Sequence, residues 1–197
     1  MKIKLKFGAN EEICKSRTGE EACAWLGSEE ALRKVKRAFE FALRRGKEAG
    51  FPLCGHRREP GELVIGEESA VVIKEKCPLG TSVTGRFHVH VPPVEEDWTN
   101  EYFSPSDLLN TFLLGQKGFC DCVGYVKGGK MYVKCYEFPG KDELLRSDVP
   151  RLLGKLFNLA EKGLTGKTAD EYEDIMRKVE SALRVCTVEI GSLRRYG

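Results

Sequence analysis

The chain opens on an alternation. In "MKIKLKF", Lys2, Lys4 and Lys6 interleave with Ile3, Leu5 and Phe7, the period of two that marks a half-exposed strand. A loop region, "GANEEICKSRTGEEACAWLG", follows. From Ser28 the period lengthens. In "SEEALRKVKRAFEFALRRG", Leu32, Val35, Phe39, Ala42 and Leu43 form one apolar stripe at helical spacing. Ser28 is the expected N-cap, Glu29 and Glu30 sit at the positive end, and Gly46 suits the stop. Short strands are expected in "FPLCG", "ELVIG", "AVVIKE" and "VTGRFHVHV", separated by Gly, Pro and charge.

"SPSDLLNTFLLG" then reads as a helix, and "FCDCVGYVKGGKMYVKCYEF" as a hairpin turning on Gly128-Gly129, a pair suited to a type I′ turn. From about residue 142 the pattern is helical. "SDVPRLLGKLFNLAEKG" carries Asp148 and Pro150 near a helix start. "TADEYEDIMRKVESALRVC" places Thr168 and Glu171 in capping-box register, with an apolar face of Tyr172, Ile175, Met176, Val179, Leu183 and Cys186 that is expected to pack inward. The order of elements predicts an α/β fold, a mixed β-sheet flanked by helices, with residues 142–197 as a helical C-terminal extension packed on a domain over 1–141.

Composition narrows the function classes. With 41% apolar residues the 197-residue chain can bury a core, and 32 basic against 30 acidic residues give a net charge of only +2. That balance disfavours nucleic-acid binding through bulk charge. No apolar run approaches the roughly 20 residues of a membrane span, and the charged start is too short for a secretory signal, so a cytoplasmic protein is expected. High charge with a single glutamine, Gln116, fits a heat-adapted source. The eight cysteines would then be free thiols or, in a hyperthermophile, partly disulfides. Cys120 and Cys122 are expected to line one face of a buried strand.

Histidine is rare: there are three, and two stand in "GRFHVHVPP" as His88 and His90. On a strand they share a face. Downstream, in "FSPSDLLN", Asp107 falls in the first turn of a helix, three residues after Ser104. That segment is also a sound helix start by itself, with Ser104 as N-cap and Pro105 at the first position. Two imidazoles and a carboxylate are the ligand types of a catalytic zinc site that keeps one position open. His56, in "CGHRR", forms Cys-x-His with Cys54 and is expected at a strand end.

H-x-H, a spacer, then S-x-x-D resembles the metal signature of the JAMM (MPN-plus, JAB-type) zinc metalloprotease family. An upstream glutamate belongs to that signature, and "KEAGFPLCG" supplies Glu48 with Phe51, Leu53 and Gly55 in most of the family's frame; Gly50 lies one position early. The resemblance covers roughly residues 28 to 136. It implies a cytidine-deaminase-like MPN/JAMM architecture, Zn²⁺ held by His88, His90 and Asp107, Glu48 as general base and acid, and Ser104 as oxyanion donor. The implied reaction is hydrolysis of an amide or isopeptide bond in a protein or peptide substrate, with a ubiquitin-like or small modifier protein as the implied class.

Two departures stand out. Val91 replaces the family's proline after the second histidine, and thirteen residues, "VPPVEEDWTNEYF", separate His90 from Ser104. The extended loop puts Glu95, Glu96, Asp97 and Trp98 near the site, as a gate, a substrate contact or a block. An inactive MPN-type scaffold is therefore the alternative reading, with homo-oligomer formation compatible with either. A metal-dependent nuclease is the third.

Overall fold

The structure, a computed structural model, describes residues 2–9, 21–66, 76–91 and 101–196. The expected strand "AVVIKE" and the loop residues Glu95, Glu96, Asp97 and Trp98 lie outside the described residues. The described strands are β1 (Lys2–Phe7), β2 (Ala49–Cys54), β3 (Glu59–Pro60), β4 (Val64–Ile65), β5 (Val83–Val89), β6 (Cys120–Lys127), β7 (Lys130–Glu137) and β8 (Cys186–Tyr196). The helices are α1 (Glu29–Arg45), α2 (Pro105–Leu114), α3 (Lys141–Arg146), α4 (Val149–Lys162) and α5 (Lys167–Leu183), with a 3-10 helix over Glu21–Gly27.

One mixed sheet runs in the order β1-β8-β7-β6-β5-β2-β3, with β4 also on β2. β5 and β6 are parallel, joined by a crossover that contains α2; the other pairs are antiparallel. The expected α/β architecture with a helix-flanked mixed sheet is what the chain forms.

The local chemistry accounts for the elements. Ser28 caps α1 by accepting from the Ala31 N–H, and Gly46 ends it in the left-handed region at φ 64°. All five stripe residues of α1 are buried. They meet Phe51, Phe87 and Val89 in a core that covers one face of the sheet. At the β6–β7 hairpin, Gly128 and Gly129 have φ of 57° and 71°, the left-handed pair that a type I′ turn requires. The second core lies on the other face. There α2, α4 and α5 pack against Val123, Tyr125 and Tyr136 through Phe112, Leu156, Ile175 and Met176.

The expected helical extension over 142–197 is helical only to Leu183. Cys186–Tyr196 is a strand, and it lies between β1 and β7, inside the sheet. Val188 and Ile190 are buried while Thr187 and Glu189 are exposed, a period of two. Arg184, left-handed at φ 55°, ends α5 and lets the chain turn into the sheet. The expected capping box of Thr168 and Glu171 does not form. α5 begins at Lys167 after Gly166, and the Thr168 hydroxyl turns back to the carbonyls of Gly163 and Thr165.

Three disulfides are present among the described residues: Cys23–Cys186, Cys54–Cys77 and Cys122–Cys135. Cys120 is a buried free thiol, its sulfur 3.5 Å from that of Cys122 on the same strand face. Burial pushes its pKa up to about 12, so it stays protonated.

Candidate functional site

The two faces of β5 have different work. Phe87 and Val89 point into the α1 core. Arg86 and His88, one residue out of phase with them, share the opposite face, and His90 continues that alternation just beyond the strand end. The Nε2 atoms of His88 and His90 are 3.0 Å apart.

Asp107 reaches the same point from α2. Its position follows from the helix start: Ser104 is the N-cap, Pro105 opens the helix, and Ser104 and Asp107 form a reciprocal capping box. Asp107 Oδ2 accepts from the Ser104 N–H (3.1 Å) and from its hydroxyl (2.7 Å), while the Asp107 N–H donates to Ser104 Oγ. The same Oδ2 lies 3.5 Å from each histidine Nε2. Cap and cluster are thus one arrangement: the capping bonds leave Oδ2 facing both imidazoles. Nitrogen, nitrogen and oxygen donors all lie within 4.8 Å of one another. The three side chains are 5, 11 and 20% exposed, so the site is sheltered yet reachable from the Asp107 side.

The electrostatics fit this closeness. Burial alone would lower the His88 pKa and raise that of Asp107. Their mutual attraction and hydrogen bond outweigh it. His88 is raised above its ordinary value, and Asp107 is held well below its own.

Glu48 immediately precedes β2. β2 and β5 are antiparallel with Ala49 opposite Val89 and Gly50 opposite His88, so the same register continued by one residue sets Glu48 opposite His90. Its charge contributes to the raised pKa of His88. Gly50 has a packing reason to be glycine. A Cβ there would stand 2.9 Å from both Cα and Cβ of His88. The five residues singled out in the sequence thus gather at one end of the β2–β5 pair and the start of α2. His56 does not join them: it is exposed in the turn after β2, and its neighbour Cys54 is in a disulfide.

Behind the site lies a polar network not anticipated from the sequence. Asp121 on β6 is fully buried and stands opposite Arg86 in the parallel register. Its two oxygens accept from Arg86 Nε (2.9 Å) and Nη2 (3.1 Å), from the Thr111 hydroxyl (2.8 Å) and from the Tyr136 hydroxyl (3.3 Å). The signals were present as an arginine two residues before His88 and as a lone carboxylate inside the apolar strand "FCDCVGYV". A buried cation, Lys134, pairs with Glu180 of α5, donates to the Glu101 carbonyl and lies over the rings of Tyr102 and Tyr125. It ties the segment leading into Ser104 to the sheet.

No helix among the described residues is long and apolar enough to cross a membrane. Compared with family models, with curated proteins and with solved structures, the chain matches none of the three.

Proposed function

We propose that the chain is a zinc-dependent peptidase or isopeptidase of JAMM type, with His88, His90 and Asp107 as the metal ligands. The observation that carries this reading is the spacing of the three donor atoms. Donors at zinc–nitrogen and zinc–oxygen distances of about 2.0–2.1 Å around a tetrahedral centre stand about 3.3 Å apart. The separations here are 3.0, 3.5 and 3.5 Å. Two neutral imidazoles and one carboxylate also match the ligand set of hydrolytic zinc sites that leave one position open.

A zinc ion held there supplies Lewis acidity and lowers the pKa of a bound water toward about 7. The chain's own residues do the rest. Glu48, opposite His90, would take a proton at its carboxylate from the water that attacks the carbonyl carbon and return it to the amine nitrogen as the C–N bond breaks, a role worth about 10²–10⁴ in rate. Ser104 Oγ donates to Asp107 in the resting arrangement. Turned toward a substrate carbonyl, the same hydroxyl stabilises charge developing on that oxygen. The substrate class, a ubiquitin-like or small modifier protein joined through its C-terminus, rests on the family resemblance alone.

The test is hydrolysis by the full, zinc-loaded chain of a modifier C-terminal tail linked to a lysine side chain or to a linear peptide. The wild type is expected to cleave one of the two. Glu48→Gln is expected to keep zinc and lose turnover. A zinc-loaded wild type that cleaves neither contradicts the peptidase reading, and unchanged turnover in Glu48→Gln removes Glu48 from its role.

A further inference from the structure

His88 and Asp107 belong to different elements, β5 and the first turn of α2. A metal site tolerates errors of only about 0.5 Å in its donors, so something must hold α2 against β5. The Arg86 guanidinium spans that gap. Its Nη2 donates to the Asp107 backbone carbonyl (3.0 Å) and to the Thr111 hydroxyl (3.1 Å), one turn apart on α2. Its other contacts fix the guanidinium in turn: both Asp121 oxygens receive it as a two-point fork, and Thr111 and Tyr136 complete the carboxylate's bonds. Four elements, β5, β6, β7 and α2, thereby meet at one buried carboxylate.

We infer that Arg86, oriented by Asp121, is a positioning residue for the His88–His90–Asp107 site: it sets the distance between β5 and the first turn of α2. The inference rests on the metal reading above. Arg86 shares a strand face with His88, so the strand that presents one ligand also tethers, through Arg86, the helix that presents another. The arrangement parallels the outer-sphere hydrogen bonds that orient metal ligands, with one difference. Here the bond goes to the ligand's backbone carbonyl and acts on the helix as a body. Lysine cannot replace it, because a single ammonium lacks the planar fork that engages Asp121 through two nitrogens and α2 at the same time.

The experiment is cobalt binding to the full chain, followed by visible absorption and by chelator competition. The variants are Arg86→Met, Arg86→Lys and, as a control, Arg58→Met. Arg58 forms a comparable part-buried pair with Glu137 (2.5 Å) and bonds to the Gly118 carbonyl, away from the site. The wild type is expected to bind one cobalt with a four-coordinate spectrum. Arg86→Met is expected to lose about 10–100-fold in affinity and to show an altered spectrum. Arg86→Lys is expected to lose at least several-fold, and Arg58→Met to keep both affinity and spectrum at whatever stability it has. If Arg86→Met does not fold, Arg86→Lys decides. Wild-type affinity and spectrum in the folded Arg86 variants would overturn the inference while leaving the metal reading intact. A wild type that binds no cobalt would overturn the metal reading itself.

Discussion

Asp107 Oδ2 lies 3.5 Å from His88 Nε2 while still accepting both capping bonds from Ser104. The helix cap and the candidate ligand set therefore share one oxygen. Removing that carboxylate has two separable consequences. Asp107→Asn is expected to keep α2, because an amide oxygen still accepts from the cap, at a cost of about 1 kcal/mol. It is expected to lose most zinc affinity, because the charge is gone. Circular dichroism with zinc titration checks both. Unchanged zinc affinity in Asp107→Asn would leave the residue a cap only.

Zinc is expected to stabilise the fold. A ligand at a hundred times its dissociation constant contributes about 2.7 kcal/mol, which for a chain of this size raises the melting temperature by about 5–10 °C. Thermal unfolding with and without zinc measures this. His88→Ala, folded in the metal-free state, is expected to show no such rise.

The pH dependence follows from the two shifts. His88 is raised above its ordinary value of 6.5, so in the metal-free protein its contribution to stability is complete below 6.5 and is lost as pH rises through the folded value. Asp107 is held well below its ordinary value of 3.8, so its contribution is present above 3.8 and is lost as pH falls through the folded value. The metal-free site is therefore most stabilising between those limits. Zinc needs the opposite state of His88, the neutral ring. Apparent zinc affinity is expected to weaken as pH falls, starting above pH 6.5, by about tenfold per unit for one released proton. Competition with a chelator across pH 6 to 8 gives the slope. A flat profile would separate His88 from the metal.

Gly50→Ala tests the β2–β5 contact. The added methyl would press on the His88 backbone and Cβ. A loss of about 1–3 kcal/mol in unfolding free energy is expected from overpacking, together with weaker zinc binding, since the ligand strand must shift. Denaturant unfolding and zinc titration of the variant measure the two effects.

Cys23–Cys186 joins the 3-10 helix to β8 across a sequence separation of 163 residues. Closing so long a loop restricts the unfolded chain strongly, and Cys186→Ser is expected to lower unfolding free energy by about 2–5 kcal/mol. The proposed zinc ligands lie on the opposite face of the sheet, so zinc stoichiometry is expected to be unchanged. Loss of zinc in a folded Cys186→Ser would show that the two faces are coupled.

The legible parts of the site were the local ones. A period of two fixes which way His88 and His90 point, and a capping box fixes Asp107 relative to Ser104, each within a few residues of chain. Arg86 and Asp121 were not legible as a pair. They are 35 residues apart, and only the parallel register of β5 on β6 makes them neighbours. The same limit explains β8. Cys186 continued the apolar face of α5 in sequence, and nothing local announced that Arg184 would turn left-handed and send "CTVEIGSLRRY" between β1 and β7. Glu48 is intermediate. The motif frame named it, and the β2–β5 register supplied its place opposite His90.

The most direct measurement is the zinc content of the full chain after equilibrium dialysis, for the wild type and for His90→Ala. The account predicts one zinc per chain in the wild type and none in folded His90→Ala. A folded wild type that retains no zinc from a zinc-replete buffer, or a His90→Ala variant that retains as much as the wild type, would contradict it.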